Sequence, residues 1–88
     1  MSYIDSIVST IEQVRLDRGI SIAEIARRID VDRKRLWYVL NHRREMRVDE
    51  FLKICIVLKI DPKKFITREM LAEIKNRMPV ESSRRDLL

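Results

Sequence analysis

The sequence predicts an all-α domain with five or six helices. One Gly and two Pro occur among 88 residues, and a chain so poor in turn residues favours helices joined by short connections. Apolar side chains recur at spacings of three and four in several segments, which is the period of a helix that packs on one face. Hydrophobic residues make up 45 % of the chain, which is enough for the one core that a chain of this length forms.

The first predicted helix has both a start and a stop signal. Ser2, with Asp5 three residues later, is a plausible capped start. Gly19 is expected to end the helix near Arg18, because glycine adopts the left-handed conformation of a C-cap at low steric cost. Between these signals the apolar residues follow a helical stripe: Ile4, Ile7, Val8, Ile11, Val14 and Leu16.

Two shorter helices follow. Residues 21–24 (SIAE) have the pattern of a capping box, so a second helix begins there and runs to about Ile29. Asp30 occupies the turn, since Asp tolerates the left-handed region better than most residues. Asp32 caps a third helix, which runs through Asn41. The residues expected to pack these two helices together are Ile25, Ala26, Ile29, Val31, Leu36 and Val39.

The outer face of the third helix is basic and aromatic. Leu36, Val39 and Leu40 lie on one face at spacings of three and four. The residues that fall off this face are Arg33, Lys34, Trp37, Tyr38 and Asn41. Residues 42–47 have no periodicity and are predicted to form a polar loop.

A fourth helix covers about Val48 to Lys59. The two residues before it, Met46 and Arg47, make a poor N-cap. Cys55 lies in an apolar run, which suggests a small buried side chain. The residues predicted to face inward are Val48, Phe51, Leu52, Cys55, Ile56 and Leu58.

The segment after the fourth helix leaves two alternatives open. Asp61-Pro62 is an N-cap and first-turn pair that opens a fifth helix. Residues 61–66 and 67–78 then form either one helix or two, because Thr67 can restart a helix. Proline ends the last helix at position 79, and residues 79–88 are predicted to be a flexible tail.

The apolar stripe near the C-terminus exceeds what a core of this size needs. Core packing explains part of it, and the surplus suggests a second copy of the chain, hence a homodimer. The candidate interface residues are Met70, Leu71, Ile74 and Met78.

The positive charge is concentrated in one window. Residues 27–47 hold eight basic and three acidic residues, which gives a net charge of +5, the same as the net charge of the whole chain. A surplus in one place suggests a polyanionic partner. The eight basic residues are Arg27, Arg28, Arg33, Lys34, Arg35, Arg43, Arg44 and Arg47.

Several classes of protein are disfavoured. We find no nucleophile with a base and an orienting group, and no Gly-rich phosphate loop, so an enzyme is not expected. His42 and Cys55 are the only soft metal ligands and form no cluster, so neither a metal nor another cofactor is expected. The chain has no long apolar run and no signal-peptide pattern. We therefore expect a cytoplasmic protein without a membrane span.

An ordered set of residues resembles the helix-turn-helix family of phage repressors and Cro proteins. The resemblance covers about residues 4–66 and implies that the second and third helices form the helix-turn-helix. Residues 1–66 would then be a DNA-binding domain, residues 67–78 a C-terminal helix suited to dimerisation, and residues 79–88 the tail. The matching residues are Gly19-Ile20-Ser21, Glu24-Ile25-Ala26, Ile29-Asp30-Val31-Asp32, Leu36, Val39, Asn41, Phe51-Leu52-Lys53-Ile54 and Leu58 to Phe65.

The chain departs from the family pattern at several positions. Ile22 stands where the family usually has a Gln that contacts phosphate. Asp30 and His42 replace two frequent glycines, and Met46-Arg47 replaces a Pro-Ser pair that opens the fourth helix. Both glycine replacements leave the backbone feasible, while the Gln replacement removes the family's usual phosphate contact.

The resemblance implies that the third helix, residues 32–41, enters the major groove of double-stranded DNA. Its first turns would contact bases through Arg33, Lys34 and Trp37. Phosphate contacts would come from the helix end and the loop, through Asn41, His42, Arg43 and Arg44. The function implied is a dimeric, sequence-specific transcriptional repressor that occludes a palindromic operator.

An alternative from a different class stays open. A helix-turn-helix scaffold can serve protein binding, as an inhibitor, an antitoxin or an adaptor. Here that role would use Trp37, Tyr38 and the loop of residues 42–47. Trp and Arg dominate the binding energy of many protein interfaces, which motivates this alternative.

Overall fold

The computed structural model describes residues 2–78. Within that range it contains five α-helices, one 3-10 helix and no strand, which confirms the all-α prediction. The elements are α1 (Tyr3–Arg18), α2 (Ile22–Ile29), α3 (Arg33–Leu40), α4 (Val48–Leu58), the 3-10 helix (Pro62–Phe65) and α5 (Arg68–Lys75). The last two are separate, which settles the alternative left open for residues 61–78. The stop predicted at Pro79 and the tail at 79–88 lie outside the described residues.

Side-chain caps begin four of the five α-helices. Ser2, Ser21, Asp32 and Thr67 each accept a hydrogen bond from the backbone N–H three residues later, at 3.1–3.2 Å. Each bond satisfies one of the amides that a helix start leaves unpaired, and is worth about 1 kcal/mol. α4 begins differently: its N-cap is Arg47, as the sequence predicts, and no side chain of that residue caps the helix.

Left-handed residues end three helices and open the loop after a fourth. Gly19 has φ 66°, and Asp30, His42 and Lys59 have φ 58°, 62° and 57°. At Asp30 and His42 the backbone takes this conformation without glycine, the residue that favours it. Lys59 ends α4 in the same way, which the sequence did not indicate.

α2 packs on α3 and on α4, and α1 packs on α3 and α4. The residues predicted to join α2 and α3 are buried, except Val31, which is half-buried. Phe51 and Phe65 meet edge to face, with ring centroids 5.3 Å apart. The buried hydrophobic residues are Val8, Ile11, Ile25, Ala26, Ile29, Leu36, Val39, Leu40, Ile54, Cys55, Leu58, Ile60 and Phe65.

The inward face predicted for α4 is partly wrong. Val48, Leu52 and Ile56 are 76 %, 46 % and 75 % exposed, whereas Cys55 and Leu58 are buried as predicted and Phe51 is half-buried. The inward positions also include Glu50 and Ile54. The inward side of α4 is the stripe Phe51, Ile54, Cys55 and Leu58, at spacings of three and four, with Glu50 buried beside it. Val48, Leu52 and Ile56 form a second apolar stripe that is exposed, so apolarity alone does not separate the two sides.

The ends of the α1 stripe are also exposed. Ile4 is 44 % exposed and Leu16 is 60 % exposed, while Val8 and Ile11, in the middle of α1, are buried. α1 is longer than the helices it covers, so its two ends extend beyond the core. None of the helices between residues 2 and 78 combines the length and the apolarity that a bilayer crossing requires.

Candidate nucleic-acid interface

The start of α3 and the start of α2 together form one exposed surface. Arg33, Lys34 and Trp37 are exposed on α3, and the structure places all three predicted base-contacting residues side by side. Ile22 and Ala23, from the first turn of α2, face them across a shallow groove. The full lining is Ser21, Ile22, Ala23, Arg33, Lys34, Trp37 and Tyr38. We call it the α2–α3 groove.

Trp37 is held by its neighbour in the chain. The rings of Trp37 and Tyr38 meet edge to face, with centroids 5.4 Å apart and planes at 81°. Trp37 is still 45 % exposed, whereas Tyr38 is half-buried. The guanidinium carbon of Arg44 lies 5.8 Å from the centroid of the Tyr38 ring, a cation–π distance. Tyr38 therefore connects the loop after α3 to the aromatic part of the exposed face.

Most of the charge on this face has no carboxylate partner. Two other cations of the same window are paired: Glu24 accepts from Arg27 and from Arg28, each at 2.6 Å. Because that pair is neutralised in part by Glu24, the surplus lies on α3 and its loop. The basic residues that form no ion pair within residues 2–78 and belong to this surplus are Arg33, Lys34, Arg43, Arg44 and Arg47.

Arg35 belongs to the scaffold and not to the exposed charge. Its guanidinium donates two hydrogen bonds to the carboxylate of Glu50, from Nε to Oε2 at 2.7 Å and from Nη2 to Oε1 at 2.9 Å. Glu50 is only 3 % exposed, and its Oε1 also accepts from the backbone N–H of Arg47 at 2.8 Å. These bonds join α3 to the first turn of α4, so they fix how α3 presents its outer face.

The environment of Glu50 favours its charged form. The hydrogen bonds from Arg35 are the largest cause that holds the pKa of Glu50 below its usual range, and the N–H of Arg47 adds to it, while burial acts in the opposite direction. Sequence reasoning missed this pair. The available signal was an acid in the third position of a helix whose own N-cap, Arg47, offers no capping oxygen.

The four residues predicted to bind phosphate fall into two groups. Asn41 donates from Nδ2 to the backbone oxygen of Trp37 at 2.8 Å, and His42 lies with Nδ1 3.4 Å from Oδ1 of Asp5. Both side chains therefore have partners within the chain. Arg43 and Arg44 have no carboxylate partner in the described part of the molecule, so the structure keeps these two as the open cations of the loop.

Asp5 ties the loop to α1. Hydrogen bonds from Ser2 are the main cause that lowers the pKa of Asp5 from its usual value, with a smaller contribution from His42. A carboxylate that is charged near neutral pH can attract a protonated His42. The contact between His42 and Asp5 thus holds the start of the loop against α1, whereas Arg43 and Arg44, which follow, form no ion pair within the described residues.

The four residues predicted to form the dimer interface also fall into two groups, which differ in exposure. Met70 is half-buried and lines a groove between α1 and α5, whereas Leu71, Ile74 and Met78 are 49 %, 53 % and 37 % exposed. Tyr3 donates to Oε1 of Glu73 at 2.5 Å, which attaches α5 to α1. Three of the four predicted interface residues are therefore exposed apolar side chains, and Met70 serves contacts within the chain.

The groups that could carry other chemistry are few. Within residues 2–78 no three His, Cys, Asp or Glu side chains are grouped so that they could hold a metal ion. Burial raises the pKa of the Cys55 thiol, which disfavours the reactive thiolate. The chain matches no protein-family model, and comparisons with curated proteins and with solved structures gave no match.

Proposed function

We propose that this protein is a sequence-specific double-stranded DNA-binding regulator that acts as a dimer. The observation that carries the proposal is the unneutralised charge on the outer face of α3 and its loop, next to an exposed tryptophan. The positive charges on this face have no carboxylate partner within the described residues, and a polyanion such as DNA would neutralise them. Its base edges also offer flat, partly apolar groups that the tryptophan could contact. The partners proposed are an operator with two half-sites and a second copy of the chain.

The dimensions of α3 suit the major groove. An α-helix with its side chains is about 10–12 Å across, and the major groove is about 12 Å wide, so a helix such as α3 can enter it. With the N-terminal end foremost, Arg33 and Lys34 are the residues nearest the base edges. An Arg that forks onto O6 and N7 of guanine contributes roughly 1–3 kcal/mol of discrimination. We assign sequence recognition to these two residues and to Trp37.

Phosphate binding falls mainly to the loop. Arg43 and Arg44 supply positive charge where α3 ends, and Arg47 extends it to the start of α4. His42 keeps Nε2 for a phosphate while Nδ1 faces Asp5, and Asn41 keeps its amide oxygen and second N–H. Contacts of this sort set the register of the protein on the duplex and its affinity, and they carry no sequence information themselves.

One copy of α3 covers too little DNA for a selective site, so the proposal includes a dimer. Leu71, Ile74 and Met78 are the exposed apolar residues that we assign to the interface on α5. A two-fold dimer would present two α3 helices to half-sites centred about one helical turn apart, which corresponds to a palindrome. Bound over a promoter, such a dimer would act as a repressor by occlusion.

The roles assigned to individual residues are tested with a duplex recovered by selection from a random library. Arg33→Ala should weaken binding by about tenfold or more and relax the preference at one base pair in each half-site. Arg43→Ala should weaken binding to all duplexes by a similar factor. It should also reduce the salt slope by roughly 0.9 for each phosphate that the arginine neutralises in the unmodified protein.

Arg27→Ala is the matched control for both variants. Arg27 is an exposed arginine of the same window, but it is paired with Glu24 on α2, so its removal should leave affinity and preference almost unchanged. If Arg33→Ala and Arg43→Ala both bind as the unmodified protein does, the roles assigned to these two arginines are wrong.

A second candidate function is the protein-binding scaffold. The observation that favours it is the apolar lining of the α2–α3 groove beside Trp37, with Arg43 and Arg44 close by, since Trp and Arg are frequent interface anchors. This role would use Trp37, Tyr38 and the loop of residues 42–47. A selection that enriches no duplex, together with salt-insensitive binding to a protein, would favour it over DNA binding.

A further inference from the structure

The α2–α3 groove combines apolar walls with a charged end. Ile22 and Ala23 form one wall, and the ring of Trp37 forms the other. Arg33 and Lys34 lie at the same groove and form no ion pair within the described residues. A surface that is apolar and flanked by free cations is complementary to a ligand that is anionic overall and carries a small apolar group.

Contacts within the protein hold both walls of the α2–α3 groove in place. Ile22 is half-buried and packs against the hydrophobic core, so its position is set by the fold. On the opposite wall, the Tyr38 ring supports Trp37 edge to face, and Asn41 engages the backbone oxygen of Trp37. Both walls therefore rest on contacts within the protein, and Trp37, which lines the groove, is 45 % exposed.

The major groove of DNA offers one apolar group to such a site. Its base edges present hydrogen-bond donors and acceptors, and the exception is the C5-methyl group of thymine. We propose that the α2–α3 groove takes the C5-methyl of a thymine adjacent to the guanine contacted by Arg33. This inference rests on the proposed DNA-binding function and adds to it a base preference and two residues that create it, Ile22 and Trp37.

Ile22 makes one wall of the α2–α3 groove apolar. An amide side chain at the start of α2 would turn a hydrogen-bonding group towards the DNA. Ile22 instead removes that group and widens the apolar surface beside Trp37. Ile22 therefore offers DNA an apolar contact where an amide would offer a hydrogen bond.

Deoxyuridine substitution isolates the methyl group. Deoxyuridine differs from thymidine only by the missing C5-methyl, so it keeps every hydrogen bond of the base pair. In a duplex recovered by selection, each thymine is replaced singly and the dissociation constant is measured. We expect one thymine in each half-site, next to a guanine, where the loss of the methyl weakens binding about three- to fivefold, as the burial of one methyl-sized group predicts.

Two variants assign the effect to the groove. Trp37→Ala should bind the thymine and deoxyuridine duplexes equally, because the wall that contacts the methyl is gone. Arg33→Ala should bind more weakly and keep the three- to fivefold difference. Trp37 is exposed, so the variant should fold, and circular dichroism checks that it does.

The outcomes separate this inference from the function it rests on. If the protein binds a selected duplex and no thymine is sensitive to loss of its methyl, or if the sensitivity persists in Trp37→Ala, the methyl site is wrong and DNA binding stands. If no duplex is enriched at all, the methyl site and the proposed DNA-binding function are both wrong.

Discussion

At the scale of single residues, the Arg35–Glu50 pair determines how α3 is held. Arg35→Ala leaves the carboxylate of Glu50, which is 3 % exposed, without its main partner. We expect a loss of about 2–3 kcal/mol in the free energy of unfolding, less than for a fully enclosed pair because water reaches Arg35. Urea denaturation measures it. Arg27→Ala, which removes an exposed pair, should change the stability by less than about 0.5 kcal/mol.

The same pair predicts a pH dependence. The folded-state pKa of Glu50 lies below its unfolded value, so the pair stabilises the folded state at pH values above the unfolded pKa, about 4.3. That stabilisation is lost as the pH falls through the folded-state pKa. The stability difference between the unmodified protein and Glu50→Gln should be largest near pH 7 and should shrink below about pH 4. Thermal unfolding across this range tests it, and a constant difference would contradict it.

The left-handed residues give a prediction with an internal control. Lys59 has φ 57°, so Lys59→Gly relieves a steric cost of about 1 kcal/mol and should raise the melting temperature by about 4–8 °C. Gly19→Ala should lower it by a similar amount, although nothing lies within 4 Å of the position where a Cβ would stand. Equal melting temperatures for all three proteins would show that backbone strain at these sites is negligible.

At the scale of the elements, the local signals in the sequence predicted the helices well. The caps at Ser2, Ser21 and Asp32 and the left-handed Gly19 act within a few residues of themselves, so they can be recognised without knowing the fold. The exposed face of α3 could also be predicted, because its apolar and charged residues lie on opposite sides.

Other features depend on contacts between distant segments. Glu50 on α4 is buried where it pairs with Arg35 on α3, 15 residues earlier, and the sequence pattern of α4 does not indicate this contact. His42 turns towards Asp5 on α1, a contact that only the assembled fold creates. Sequence patterns determine which residues are helical, while pairing across the core determines which of their sides remain available.

The two exposed apolar faces allow a test of the proposed dimer. Ile74→Glu on α5 should convert a dimer into a monomer, because it buries a charge in the interface. Ile56→Glu is the matched control, since Ile56 is 75 % exposed on α4, against 53 % for Ile74. Sedimentation equilibrium distinguishes the two species. If Ile56→Glu dissociates the dimer and Ile74→Glu does not, the interface lies on α4.

At the scale of the whole molecule, the proposed function depends on where the charge is placed. Eight basic residues fall within residues 27–47. The fold pairs Arg27 and Arg28 with Glu24 and Arg35 with Glu50, which leaves the remaining surplus on α3 and its loop. A net charge of +5 would by itself favour binding to any polyanion. The arrangement around Trp37 is what favours a preference for sequence.

Selection from a random library of double-stranded DNA tests sequence-specific binding most directly. The protein is incubated with the library at about physiological salt, and bound duplexes are amplified and sequenced over several rounds. We expect an enriched palindrome whose half-sites are centred about 10 base pairs apart and contain guanine beside thymine. A library that stays random after repeated rounds would contradict the proposed function.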